Sequence, residues 1–203
     1  MKKKILTVIG LVLVLGAATR IYYTYLHVFH GRVVDADTKA PIEGAVVVAA
    51  WYEEAATPAG PTGRIKDVKE TLTDTKGEWK IRGPKGGGVI ASLVALATFT
   101  YYTLPPEFIV FKPGYCSWPK GFSVETCRDK VWPTGSDKVA MGVTVELPYL
   151  TSKEDRRRCL PSPLQRDGNG EFYSKQASFI RLINEESRSI GIGEYDTLKG
   201  YEK

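Results

Sequence analysis

The stretch AVVVAAWY, from Ala45 to Tyr52, decides the fold. It is apolar throughout and β-branched in its first half, which is typical of a central strand that is covered on both faces. Glu78–Arg82 and Val143–Leu147 alternate apolar and polar residues instead, as half-buried strands do. Three further short strands complete the pattern: Val28–Val34, Val68–Thr73 and Phe108–Phe111. The sequence therefore predicts a mostly β protein built as a sandwich.

Turn signals separate the predicted strands. Asp35 and Asp37 can accept backbone N–H bonds in the first turn, where Pro41 fixes φ. Asp74–Gly77 predicts a tight hairpin whose second strand begins at Glu78. Short strands separated by such turns favour an all-β sandwich.

Some of these stretches also match a known pattern. Gly31–Asp35 leads into Pro41–Val47, Thr73–Trp79 follows, and Lys112–Tyr115 comes last. Together they resemble the carboxypeptidase regulatory-like domain. The resemblance covers roughly residues 27–150, and it implies a seven-stranded transthyretin-like (prealbumin-like) Greek-key sandwich.

The resemblance also implies a module that has no catalytic residue and no cofactor of its own. Domains of this type usually accompany an enzyme, a receptor or an export machine, and in the peptidases that carry one the zinc site lies in another domain. The transthyretin-like enzyme that hydrolyses 5-hydroxyisourate ends in Tyr-Arg-Gly-Ser, and Tyr195–Lys203 does not match that ending.

The N-terminus has the pattern of a targeting or anchoring segment, residues 1–20. Lys2–Lys4 precede a mostly aliphatic run over residues 5–18. This run is shorter than the roughly 20 residues that a membrane span needs, but Ile21–Leu26 adds aromatic residues suited to a lipid interface. A cleaved signal peptide and a retained anchor both remain open. Either one exports the body to the periplasm or the cell surface, and a retained segment anchors it in the inner membrane through residues 5–18.

The net charge of +5 belongs mainly to this N-terminus, because Lys2–Lys4 and Arg20 supply +4 and the rest of the chain has a net charge of +1. A nucleic-acid binder would carry a basic stripe on its body. The chain has one short basic cluster, Lys153 with Arg156–Arg158, and neighbouring acidic residues dilute it. No nucleic-acid partner is expected.

The two histidines, His27 and His30, are weak candidates for a metal site. On a strand, residues three apart point to opposite faces, so one ion could not easily use both, whereas a helix would permit it. The pair also lacks the glutamate and the third ligand of a peptidase zinc site.

The three cysteines allow a disulfide. Cys116 and Cys127 flank a short loop and are the candidates for a bridge in an oxidising compartment. Cys159 is then the odd cysteine; it can also pair with either of the others, and the sequence does not choose among these pairings. No convincing base accompanies a cysteine, so a thiol nucleophile is not expected.

An uncharged apolar segment over residues 89–104 is a candidate surface for a membrane or a partner. Its candidate contacts are Leu93, Leu96 and Phe99. The alternative is an insertion that packs over the sandwich.

Residues 151–203 are expected to form a helical tail. Thr151–Glu154 resembles a capping box, which predicts a short helix that ends before Pro161. A second, amphipathic helix should end at Gly191. Its apolar face packs on the sandwich or docks a partner, and it carries Phe179, Ile180 and Ile183.

The sequence as a whole predicts a non-enzymatic, exported β-sandwich with a structural, binding or accessory role at the cell envelope. Its expected partner is an envelope protein or a second copy, with membrane contact through the N-terminal segment if that segment is uncleaved. One alternative is an envelope enzyme or metal-binding protein with a site built in the loops. The other is an accessory subunit that docks a partner through its C-terminal helix.

Overall fold

The computed structural model describes residues 10–11, 14, 27–57, 60–87, 89–98, 100–119, 125–128, 142–164 and 171–194. Apart from three residues, the predicted targeting segment lies outside this part of the chain. Among the residues that the structure describes, no helix is both long and apolar enough to cross a membrane.

The chain is mostly β, with two sheets and a few helices, which is consistent with the predicted sandwich. The strands are β1 (His27–Asp35), β2 (Val46–Thr57), β3 (Gly60–Leu72), β4 (Glu78–Gly83), β5 (Tyr102–Thr103), β6 (Glu107–Phe111) and β7 (Thr144–Leu147). The helices are α1 (Val89–Thr98), α2 (Glu125–Arg128), α3 (Lys153–Cys159), α4 (Glu171–Ser174) and α5 (Ala177–Ile190).

The first sheet has the strand order β4-β1-β7. Its central strand β1 runs antiparallel to β4, where Phe29 faces Ile81, and parallel to β7, where Val33 faces Val145. The alternating pattern of β4 and β7 fits these edge positions, because each strand buries one face and exposes the other.

The second sheet is built around β2. Strand β3 pairs antiparallel with β2 from Val46 to Thr57, while β6 pairs with the first part of β2 and β5 with Glu53 and Glu54. The apolar stretch that begins at Ala45 is therefore central, as the sequence predicts, and its polar continuation extends beyond β6.

The turn at Asp74–Gly77 differs from the predicted hairpin. The Asp74 carboxylate accepts the backbone N–H groups of Lys76 and Glu78, each at 2.9 Å, and Gly77 takes the positive φ of 73° that the tight turn requires. Strand β4 begins at Glu78 as predicted, but β3 and β4 lie in different sheets. The prediction of a hairpin is wrong because β4 pairs with β1 after the turn carries the chain across the sandwich.

The interface between the sheets forms the inner core. Alternate residues of β2 point into it and pack against side chains of both sheets. Its larger members are Phe29, Val33, Val47, Trp51, Trp79, Ile81, Phe108, Val110, Val145 and Leu147.

The opposite face of β2 forms an outer core beneath the C-terminal helices. Helix α5 contacts β2 and β3, and it ends at Gly191, which has a positive φ of 80°. The outer core contains Val46, Val48, Ala50, Val68, Phe111, Leu160, Phe172, Phe179, Leu182 and Ile183. The residues expected to form a helical tail thus include a layer that covers the second sheet.

Candidate functional site

The three cysteines meet at one edge of the inner core. Cys116 and Cys127 form the disulfide that the sequence offered as a candidate, with their Cα atoms 6.3 Å apart. The Cys159 Sγ lies 3.6 Å from the Cys127 Sγ, and all three sulfur atoms lie within 4.8 Å of one another. All three residues are buried. Together they form the three-sulfur cluster.

The framework holds Cys116 in place through its backbone. The Cys116 N–H donates to Pro148 O at 2.9 Å, beside the end of β7. Two residues on, Trp118 exchanges both backbone hydrogen bonds with Val110 of β6, at 2.8 and 3.0 Å. Cys116 is therefore fixed by strands of both sheets.

Cys159 is fixed by its helix and by a neighbour of Cys116. It is the last residue of α3, whose first turn is capped by the Ser152 side chain. The Ser117 hydroxyl donates to Cys159 O. Cys127 instead belongs to α2, a helix of only four residues.

Among the described residues, three His, Cys, Asp or Glu side chains come within 4.8 Å of one another in this cluster, but the Cys116–Cys127 disulfide leaves no thiolate on those two residues to bind a metal ion. The histidines are placed differently. His27 lies on the inner side of β1, where its ring packs edge-on against Phe29 at 4.6 Å, and His30 is exposed on the outer side. The strand thus points the two histidines to opposite faces, as their spacing predicts. Burial lowers the pKa of His27, and the nearby charges of Lys85 and His30 lower it further.

A groove of about 680 Å³ lies along the exposed face of the first sheet and reaches the end of β3. Its charged lining residues are Arg32, Lys80, Asp74 and Glu78, together with His30. Two of them are already engaged, since Arg32 Nε donates to Lys76 O at 2.8 Å and Asp74 accepts the turn N–H groups. Because its lining has charges of both signs and two of them are already bonded locally, the groove does not favour one chemical class of ligand.

Helix α1 forms an apolar surface at one end of the sandwich. Leu93 is 59% exposed and Val94 is 56% exposed, so Leu93 lies on the surface as a contact candidate should. The side chain of Leu96 and the whole of Phe99 lie outside the described residues. Nearby, Tyr101 is also exposed. The sequence predicts an apolar insertion here, and the structure gives it helical form.

This end is also where the described body of the chain begins. His27 pairs with Gly83, the last residue of β4, and α1 starts six residues later at Val89. The Trp51 indole donates to Pro84 O at 2.6 Å, and its ring occupies the space that a side chain at Gly83 would need. Strand β1 therefore begins at the end of the sandwich where the chain passes from β4 to α1. We call this the entry end.

The remaining contact candidates are placed differently. Phe179, Ile180 and Ile183 are at most 1% exposed and lie inside the chain. Phe179 packs against Phe111 of β6, with ring centroids 6.2 Å apart. The interpretation of these three as a surface for a partner is corrected here, because all three are buried within the chain and the outer core beneath α5 already includes Phe179 and Ile183.

Glu186 was not identified as a functional residue from the sequence. Its side chain is buried on helix α5. Its carboxylate accepts two hydrogen bonds from Arg156 of α3, at 2.7 and 2.6 Å, and one from the Gly114 N–H at 3.0 Å. These bonds tie α3, α5 and the turn after β6 together beside the three-sulfur cluster. The sequence did contain a signal for this buried charge, because Glu186 follows Phe179 and Ile183 at helical spacing and so lies on the apolar face of the helix.

Comparisons with known proteins add little to this geometry. No family model matches the chain, and no curated protein matches it. Among solved structures, the chain is similar to a 9R-lipoxygenase from Cyanothece PCC8801, with a TM-score of 0.31 and 14% sequence identity. The match covers 88% of this chain and 25% of the lipoxygenase chain, so this chain spans about a quarter of that enzyme's length. A likeness this weak carries no argument about activity.

Proposed function

We propose that this protein is an exported, non-enzymatic β-sandwich that its N-terminal segment holds at the membrane, with the entry end facing the lipid. The domain belongs to the carboxypeptidase regulatory-like, transthyretin-like Greek-key type. It serves a structural or accessory role, and its partner is an envelope protein or a second copy of the chain.

The entry end carries this proposal. The segment over residues 5–18 is strongly apolar, and the chain leaves it to begin β1 at His27. An uncharged helix that exposes Leu93 and Val94 lies beside that point. A domain tethered from this end brings α1 to the bilayer surface, where its exposed side chains can be buried in the interface.

Two features of the body support an exported, non-catalytic role. The buried Cys116–Cys127 disulfide is compatible with an oxidising compartment, where such bonds persist. The groove on the first sheet is lined by charges of both signs, and the Asp74 carboxylate in it accepts the N–H groups of its own turn. Its carboxylates are held in turns or face solvent.

A pair of tryptophan substitutions tests the orientation. Leu93→Trp places a fluorophore on α1, and Leu72→Trp is the matched control. Leu72 is also an exposed leucine, at 40%, but it pairs with Val46 at the opposite end of β2. The full chain of each variant is reconstituted in lipid vesicles with and without brominated acyl chains, and the parent chain supplies the background fluorescence.

We expect brominated lipid to quench the added fluorescence of Leu93→Trp and to leave that of Leu72→Trp unchanged, because quenching requires contact with the acyl region. Equal quenching of the two variants, or quenching of neither, would contradict the proposed orientation. Circular dichroism of both variants checks that the sandwich is intact.

A further inference from the structure

The three-sulfur cluster holds one disulfide and a third cysteine within reach of it. The Cys159 Sγ lies 3.6 Å from the Cys127 Sγ, close to van der Waals contact. We propose that the cluster is an internal thiol–disulfide exchange site, in which Cys159 displaces Cys116 from Cys127. This activity goes beyond the proposed envelope role and does not depend on it.

The exchange balances without an external oxidant. Three sulfur atoms that lie within 4.8 Å of one another are not in line, so the exchange begins with a turn of the short helix α2 that aligns the Cys116–Cys127 bond with Cys159. The Cys159 thiol loses its proton to water, and the resulting thiolate attacks the Cys127 Sγ. A Cys127–Cys159 bond forms as the Cys116–Cys127 bond breaks, and Cys116 leaves as a thiolate that takes up a proton. The chain holds one disulfide and one thiol before and after the step.

The framework determines which cysteine changes partner. Cys116 is fixed by its bond to Pro148 O, and Cys159 is fixed by the Ser117 hydroxyl and by its place at the end of α3. Ser117 thus holds the two alternative partners side by side. Cys127 lies on the short helix α2 and is the cysteine that both pairings share.

The two pairings have different structural consequences. Cys116–Cys127 joins residues 11 apart and ties α2 to the turn after β6. Cys127–Cys159 joins residues 32 apart and ties α2 to the end of α3 instead. Helix α2 stays tethered in both states, while its anchor moves from the sheet to the helical layer.

Burial makes the exchange slow and sensitive to alkali. The attacking species is the thiolate, which forms reluctantly in a buried, apolar site. The rate should therefore rise with pH, by about tenfold per unit while the thiol remains protonated. It should not depend on protein concentration, because both reactants belong to one chain.

Disulfide mapping of the full chain tests the proposal. The protein is incubated without reductant at about pH 8.5, near the ordinary range of thiol ionisation. It is then quenched with acid, alkylated, and digested with pepsin for mass spectrometry. We expect the Cys127–Cys159 peptide to appear at a rate independent of protein concentration. A wild-type chain that yields only the Cys116–Cys127 peptide, or that yields a Cys116–Cys159 bridge instead, would overturn the proposal.

Two serine variants sharpen the test. With oxidised glutathione as oxidant, Cys116→Ser should form the Cys127–Cys159 bridge within the monomer. The matched control, Cys159→Ser, should keep the Cys116–Cys127 bridge alone at every pH. A folded Cys116→Ser chain in which both remaining thiols stay open to alkylation would contradict the proposed approach of Cys159 to Cys127.

Discussion

The two apolar layers on either side of β2 are closed by different means. The inner core, between the sheets, is rich in aromatic rings: Phe108 packs 5.5 Å from both Phe29 and Trp79, measured between ring centroids. The three-sulfur cluster lies at its edge. The outer core, beneath α5, has a similar share of aromatic side chains, but its borders are closed by charged groups, Glu186 and Glu70. One strand therefore supports two cores, and this explains why its sequence does not alternate.

The difference shows that α5 is an integral layer of the domain. An appended helix could be removed at little cost to the sandwich, whereas this one buries the face of β2 that carries Val46, Val48 and Ala50. The charged groups that border the outer core then hold the layer in register. Substitutions in the inner and the outer core can therefore show how much each layer contributes to the free energy of unfolding.

The largest effects should come from removing one aromatic side chain from each layer. Phe108→Ala in the inner core and Phe179→Ala in the outer core should each lower the free energy of unfolding by about 3–5 kcal/mol, because both side chains are fully buried. Urea unfolding followed by circular dichroism measures both. Leu93→Ala is the control, and it should change stability by less than about 0.5 kcal/mol because Leu93 is exposed. A Phe179→Ala chain as stable as this control would show that α5 is not part of the folding unit.

The next effect belongs to Glu186, at the border of the outer core. Glu186→Ala leaves the Arg156 guanidinium and the Gly114 N–H without their acceptor, and it should cost about 3 kcal/mol. Glu185→Ala on the same helix is the matched control, because that side chain is exposed. If the two variants unfold at the same urea concentration, the ion pair does not secure this layer.

A smaller effect is expected at the other end of α5. Its N-cap residue, Gln176, makes no side-chain capping bond, and the Glu70 carboxylate of β3 accepts the N–H groups of Ser178 and Phe179 instead, at 2.8 and 2.9 Å. Glu70→Ala should therefore cost about 1 kcal/mol, as the loss of an N-cap does. Thermal unfolding compares it with Thr62→Ala, an exposed position on the same strand. An unchanged melting temperature would contradict the capping role.

The smallest effect concerns the far part of β2, beyond its pairing with β6. Burial favours a higher pKa for the Glu53 carboxyl, but hydrogen bonds from Lys66 and Arg64 outweigh it and hold that pKa below its ordinary value. The stability this contributes is full above the ordinary glutamate pKa, and it is lost as the pH falls through the lowered one. Wild type should exceed Glu53→Gln in stability by less than about 1 kcal/mol at neutral pH. Urea unfolding from neutral to acidic pH should show that the difference in free energy of unfolding between wild type and Glu53→Gln shrinks. A difference that grows in acid would contradict a lowered pKa for Glu53.

The sequence predicted the strands well because their signals are local. Continuous apolar character marks β2, and alternation marks β4 and β7, so these elements begin within a residue or two of their predicted positions. Strand β3 begins earlier than predicted, at Gly60. Its Gly and Pro residues argue against a strand in general, but they are tolerated at a sheet edge.

Features that depend on distant residues were beyond the sequence. The approach of Cys159 to Cys127 joins positions 32 apart and requires the placement of α3 against the strands. Lys175 pairs with Asp67 of β3 at 2.8 Å, across 108 positions of sequence. Only the packed fold brings such partners together.

The location of the sandwich is the central claim, and a reporter fusion tests it most directly. Alkaline phosphatase is fused after Lys203, because that enzyme is active only where its disulfides form, outside the reducing cytoplasm. We expect high activity from the full chain and almost none after deletion of residues 2–18, at equal amounts of protein. High activity from a cytoplasmic reporter at the same position, with an inactive phosphatase fusion, would contradict the account.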